Sequence, residues 1–216
     1  MIDNKEIANL RRSYSLKELS KKNIEKNPIE QFHLWLNESL NSAIIDPNAM
    51  TLATCSKEGI PSLRTVLLKG MTSEGFIFYS NYESRKGKEL AQNPNAALNF
   101  YWKELERQIT IIGIVKKLSK EESYEYFKTR PLESKIAAIV SPQSTEIENR
   151  EVLVKKYEEA RLKFSNIEDI PLPDYWGGYI LYPNYFEFWQ GREKRLHDRI
   201  AYKLVDGAWK ISRLSP

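Results

Sequence analysis

The strongest constraint on this chain is its rhythm after Met50, where short runs rich in β-branched and aromatic residues alternate with turn-forming residues. MTLATCS and SLRTVLLKG flank KEGIP, and TSEG leads into FIFYSN. NAALNFYWK and RQITIIGIVKKLS follow as longer strands joined at ELE. WGGYILYP, YFEFWQG, HDRIAYKLV and AWKISRL close the chain, with Asp206-Gly207 as a hairpin turn. Strand-like runs with such short connections predict an antiparallel sheet.

Helical patterns interrupt this texture. Pro28 opens an amphipathic stretch with Ile29, Phe32, Leu36 and Leu40 at helical spacing, stopped by Asp46-Pro47-Asn48. SRKGKELAQNP reads as a short helix that Pro94 ends. Ser119, with Glu122 three residues on, caps SKEESYEYFKTR. LESKIAAIVS and a stripe of Leu153, Tyr157, Ala160 and Phe164 complete a helical insertion at about 119–168. Residues 1–27 are polar and weakly periodic, which predicts a mobile arm, leaving 28–216 as a single domain. The expected class is mainly β with inserted helices (α+β), built as an antiparallel barrel.

Composition narrows the function. Thirty-three Lys+Arg against 29 Asp+Glu leave only +4, so anion binding must come from local clusters and a nucleic-acid partner is not expected. The single cysteine, Cys55, excludes an internal disulfide and fits a reducing compartment. The first residues contain no apolar signal-peptide core, and no apolar run spans a bilayer, so a cytoplasmic protein without a membrane partner is expected. The glycines never form G-x-G-x-x-G, and Gly70 to Gly75 has phosphate-loop spacing but continues into Phe76-Ile77. No G-x-S-x-G elbow occurs, and one Cys with two distant histidines, His33 and His197, supplies no zinc set, so no metal is expected.

Four clusters could carry chemistry. On a strand, Arg195, His197 and Arg199 would share one face, with Trp189 offering a flat wall nearby; a solvated strand edge carries such charges too. Ser84-Arg85-Lys86 opens a helix, where cations oppose the dipole unless an anion is present; an ordinary solvated helix start is the alternative. Arg64 and Lys69 stand at odd separation, so a regular strand sends them to opposite faces, and one shared site needs a bulge, a strand end or a subunit interface. Tyr126, Arg130 and Ser134 are spaced four apart, with Gln143-Ser144 shortly after, a pattern that helix-surface polarity also explains.

Taken together, these segments resemble the pyridoxine 5'-phosphate oxidase family, which has an FMN-binding split-barrel fold. The carriers are RTVLLK at 64–69, FYSN at 78–81, SRK at 84–86, LERQ at 105–108, RPLES at 130–134, SPQS at 141–144, WGG at 176–178 and, most specific, FWQGREKRLHDR at 188–199. The resemblance implies FMN contacts from Arg64, Val66, Leu67, Lys69, Tyr79, Ser80, Arg85, Lys86, Gln108, Gln143, Ser144, Trp189 and Arg199. It implies substrate contacts from Lys69, Tyr126, Arg130, Ser134, Arg195 and His197, with Arg195 and His197 acting in catalysis. Arg11 and Tyr14 resemble part of a segment that folds over bound substrate. Ala137 stands where many members have Gly, and Ser13 where an acidic residue is common. A homodimer with FMN at its interface is implied, and with it the Arg64/Lys69 problem has an answer. The implied reaction oxidises pyridoxine 5'-phosphate or pyridoxamine 5'-phosphate to pyridoxal 5'-phosphate, with dioxygen as acceptor and hydrogen peroxide released. The alternatives are another FMN split-barrel oxidoreductase, such as a flavin reductase, and a non-enzymatic pyridoxal phosphate carrier.

Overall fold

The structure, a computed structural model, describes residues 3–10, 12–165, 167 and 169–216. In chain order the elements are α1 (Asn4–Asn9), α2 (Pro28–Leu40), β1 (Ala49–Cys55), β2 (Pro61–Leu67), β3 (Gly70–Met71) and β4 (Phe76–Asn81). Then come α3 (Arg85–Gln92), β5 (Asn95–Trp102), β6 (Arg107–Lys117), α4 (Lys120–Thr129), α5 (Leu132–Val140) and α6 (Arg150–Phe164). The chain closes with β7 (Trp176–Gln190), β8 (Asp198–Val205) and β9 (Ala208–Leu214). Hydrogen-bonded neighbours run β2-β1-β5-β6-β7-β4-β3, with β8 beside β7 and β9 beside β8. The expected antiparallel sheet with inserted helices is therefore the observed one, and α4, α5 and α6 fall inside the expected insertion.

Two expected strands, WGGYILYP and YFEFWQG, are one strand, β7. Pro183 reads as a breaker because it has no N–H to give. The pairings of β7 with β4, over Trp176–Leu181, and with β8, over Tyr185–Gln190, both leave Pro183 out, however, and β6 is the strand's further neighbour. The Asp206-Gly207 turn is as expected, with both residues at positive φ (50° and 78°), the signature of a tight hairpin.

Contacts gather the chain into two compact units. The first comprises Met1–Asn48, Leu98–Ile111 and Asn184–Pro216. Its core is aromatic: Phe32 meets Phe100 edge-on at 4.9 Å, and Trp35 meets Phe188 at 5.2 Å. Helix α2 starts where Pro28 predicts, with Asn27 accepting from the Ile29 N–H. Its buried face carries Phe32, Trp35 and Ser39, so the stripe is rotated from the expected one, and Leu40 is exposed. The expected arm is hydrogen-bonded to this unit from Arg12 to Glu25. Glu106 accepts from the Ser15 and Leu16 N–H groups, Asp198 from the Leu19 N–H, and the Glu25 carbonyl accepts from Tyr202. Leu19 is buried among these contacts.

The second unit comprises Ala49–Ala97 and Ile112–Pro183. Strands β1 and β2 form a hairpin in which Ser62, Arg64 and Val66 are half-buried while Leu63, Thr65 and Leu67 are exposed. Ser84 caps α3, and Ser119 with Glu122 forms the expected reciprocal cap of α4. Phe127, Ile136, Phe164 and Trp176 pack as one apolar cluster between the helices and the start of β7.

Candidate active site

A cavity of about 430 Å3 opens in the second unit. Val66 and Leu67 enter it from the end of β2, Tyr79 and Ser80 from β4, and Lys86 from the first turn of α3. Tyr126 and Arg130 come from the last turn of α4 and its cap, and Gln143 from the loop after α5. Lys69 joins them because the β1 ladder stops at Leu67, and the Lys69 N–H donates to Ile77 across a different pairing. The parity that would separate Arg64 from Lys69 ends with the strand.

The three cations lining this cavity, Lys69, Lys86 and Arg130, have no carboxylate partner among the described residues, and two of them have buried polar atoms. The Lys86 ammonium is buried and donates to Gln143 Oε1 at 2.8 Å and Ser80 Oγ at 3.1 Å, both neutral. Burial, then the neighbouring Arg64 charge, pull it from 10.5 to about 8. Arg130 lies 4.7 Å from the Trp176 ring, and its Nη1 is buried with no hydrogen-bond partner. Such a group costs energy until an acceptor arrives.

The aromatic wall is layered. Tyr126 stacks on Tyr79 at 3.8 Å, and Trp176 lies nearly parallel to Tyr79 at 5.4 Å. Glycines make this approach possible: a Cβ on Gly178 would lie 2.9 Å from Tyr79 Cε1, and one on Gly177 only 2.1 Å from the Tyr82 hydroxyl. The WGG motif carries this information, but it assigns Trp176 no role until the stacking is seen.

Arg64 and Arg85 do not line the cavity. Both bond to the buried Glu89 carboxylate, at 3.3 Å and 2.9 Å. Burial opposes ionisation of Glu89, yet donors from Ser62, Thr54 and Arg85 and the Arg64 charge bring it down to about 2. Ser134 is half-buried on α5, and Ser144 is exposed at a φ of +68°; neither is among the residues described as lining the cavity.

A second cluster lies in the first unit around a cavity of about 540 Å3, lined by Tyr14, Trp189, Arg195 and His197 with Arg12 and Lys194. The expected strand face of Arg195, His197 and Arg199 is not formed. Lys194 and Arg195 sit in a turn at φ of 55° and 60°, and β8 begins only at Asp198. Consecutive left-handed residues cannot continue a strand. Arg199 pairs with Glu187 at 2.7 Å and Gln108 is half-buried on β6; among the described residues neither lines this cavity. Arg11 lies outside the described residues. His197 Nδ1 accepts from the Arg192 N–H at 3.1 Å, and its ring is 4.7 Å from Trp189. Burial and then the Arg195 charge lower its pKa, favouring the neutral ring with its proton on Nε2.

Residues 36–164 match the family model described as Pyridoxamine 5'-phosphate oxidase, and residues 176–216 match that of the Pyridoxine 5'-phosphate oxidase C-terminal dimerisation region. The chain belongs to the pyridoxamine 5'-phosphate oxidase family. It is 51% identical over 212 residues to the pyridoxine/pyridoxamine 5'-phosphate oxidase of Cupriavidus taiwanensis, covering 98% of this chain and 99% of that one. Its identity to the oxidase of the same name from Nostoc punctiforme is also 51%, with the same coverage. Among solved structures it resembles PhzG from Burkholderia lata 383, determined with tetrahydrophenazine-1-carboxylic acid, at a TM-score of 0.88 and 29% identity over 95% of this chain and all of that one. The sheet and its helices thus have the fold of this oxidase family.

Proposed function

We propose that this chain is the FMN-dependent oxidase that converts pyridoxine 5'-phosphate or pyridoxamine 5'-phosphate to pyridoxal 5'-phosphate. The observation that carries the reading is the buried Lys86 ammonium together with the buried, unpartnered Nη1 of half-buried Arg130, both facing one cavity without carboxylate partners among the described residues. Two phosphates answer two cations without ion-pair partners, and the flat Tyr79 wall suits a planar ring system. Full-length relatives at 51% identity support the same reaction.

Val66, Leu67, Tyr79, Ser80, Lys86 and Gln143 would hold FMN, with Arg64, Arg85, Gln108, Ser144, Trp189 and Arg199 assigned to it by the family resemblance. Lys69, Tyr126, Arg130 and Ser134 are assigned to the substrate phosphate, and Arg195 and His197 to its ring and 4' substituent. Bound FMN supplies a two-electron acceptor that dioxygen reoxidises. The alcohol and dioxygen give aldehyde and hydrogen peroxide; the amine also consumes water and releases ammonia. Arg195 orients the substrate, and a neutral His197 presents Nε2–H as a donor, leaving its Nδ1 fixed by Arg192. The chain works as a cytoplasmic homodimer through its 176–216 region, with residues 1–27 covering bound substrate.

Purified protein should carry a flavin spectrum and release peroxide when pyridoxine 5'-phosphate or pyridoxamine 5'-phosphate is added. Flavin with nicotinamide oxidation but no peroxide on either substrate would point to a flavin reductase. Binding of pyridoxal phosphate by flavin-free protein would point to a carrier.

A further inference from the structure

Glu106 is a buried carboxylate that the oxidation chemistry does not use. It follows the turn after β5, in the left-handed conformation (φ 54°), and its side chain is 3% exposed. Three donors from residues 12–16 converge on it: the Ser15 N–H at 2.8 Å, the Leu16 N–H at 3.1 Å and the Arg12 guanidinium at 3.1 Å. Its own carbonyl accepts from the Gly191 N–H at 2.8 Å and from Gln190 Nε2 at 3.2 Å. One residue therefore ties residues 12–16 to the backbone just beyond Trp189.

Between these ties sits Tyr14. Its ring meets Trp189 edge-on at 5.8 Å and His197 at 5.7 Å. It lies so close to Gly191 that a Cβ there would be 2.8 Å from Tyr14 Cβ. A seat shaped by a glycine on one side and a carboxylate latch on the other fixes where this tyrosine can be.

We propose that Glu106 is a positioning residue for substrate binding, latching residues 12–16 so that Tyr14 is held against Trp189 and His197. This rests on the oxidase reading of the first-unit cluster. An ionised carboxylate accepting two backbone N–H groups and a guanidinium makes charge-assisted bonds, stronger than neutral ones. Without the latch, the fraction of molecules with Tyr14 seated falls, and apparent substrate affinity falls by the same factor. Saturating substrate reseats the segment, so turnover is spared.

The test is Glu106→Ala, with Glu106→Gln as the milder variant that keeps one acceptor for the backbone and loses the Arg12 ion pair. Steady-state peroxide release should show KM raised about ten-fold for Ala and less for Gln, with kcat within about two-fold. Flavin content should be unchanged, and hydrogen exchange at the Ser15 and Leu16 amides should accelerate. In a Tyr14→Ala background the Glu106 substitution should add almost nothing, because both act through one seat. Gly191→Ala should raise KM from the opposite side. An unchanged KM overturns the proposal, as does a full effect that persists without Tyr14, or a parallel fall of flavin content, melting temperature and kcat in both variants. Wild-type protein that releases no peroxide overturns the oxidase reading instead. In that case the amide exchange alone decides whether Glu106 holds the segment.

Discussion

Cations in the two units are handled differently. In the first, Arg107 stacks over Trp35 at 4.1 Å and pairs with Glu38 at 2.8 Å, Arg199 pairs with Glu187, and Arg213 pairs with Asp198 at 2.6 Å. Each of these charges has a carboxylate partner, Arg107 in the core and Arg199 and Arg213 nearer the surface. In the second unit, Lys86 is as buried as Arg107 but has only neutral partners, and half-buried Arg130 keeps a buried Nη1 with no hydrogen-bond partner. A buried cation is stabilised by its partner or it waits for a ligand, because desolvation is otherwise uncompensated. Arg195 is exposed rather than buried, but it lines the first-unit cavity with no ion pair among the described residues, so its charge too is left for a ligand.

That division orders the expected effects. The largest should come from Arg195→Leu, which keeps much of the apolar stem and removes a charge aimed at ligand. Catalytic efficiency should fall about 100-fold, equivalent to about 2.7 kcal/mol, with flavin content intact. Wild-type efficiency in that variant would move Arg195 out of the site. Next, Lys86→Met should weaken FMN binding by about ten-fold in a fluorescence titration, within the span of one charged hydrogen bond. The flavin-free protein should melt no lower than wild type, since a costly buried charge has gone. A lower melting point would mean Lys86 belongs with the structural cations after all.

Arg107→Met should reverse that pattern. Losing the Glu38 pair, the Gln190 bond at 2.9 Å and the stack on Trp35 should lower the melting temperature by about 4–10 °C, with FMN affinity unchanged. A change in FMN affinity without a change in melting would break the comparison between the units.

Most of the fold was legible because strand rhythm, turn chemistry and helix caps are local. Asp206-Gly207, Ser119 with Glu122, and Pro28 each perform where they stand. The misreadings have non-local causes. Pro183 passes through β7 at a point that the β4 and β8 pairings both leave out, and the Arg195 turn depends on left-handed backbone that no glycine announces. For the site, the motifs marked Lys69, Tyr79, Lys86, Tyr126, Arg130 and Gln143, which the second-unit cavity collects. The pairing of Glu89 with Arg64, 25 positions away, and of Glu106 with residues 12–16, 90 or more away, leaves no spacing to read, whereas the Arg85–Glu89 pair at helical spacing was readable and passed over.

The smallest expected effect is one of pH, and its sign follows from Lys86. Burial holds the ammonium at about 8 in the flavin-free protein, below its ordinary 10.5, so the charged form is the disfavoured one. The stability cost is fully present below pH 8 and disappears as pH rises towards 10.5, so this lysine makes the flavin-free protein gain stability over that interval. Binding a phosphate works in the opposite direction, because the anion favours the ammonium and raises its pKa. FMN affinity should therefore be flat below pH 8 and weaken by a few-fold per unit above it, approaching the ten-fold limit that one proton sets. Lys86→Arg should flatten the profile, since a guanidinium does not titrate in this range. Glu89 contributes nothing to this window, being ionised down to about pH 2. Fluorescence titrations of flavin-free protein between pH 7 and 9.5 would decide it. A wild-type profile as flat as that of Lys86→Arg would mean that the lysine is not what faces the phosphate.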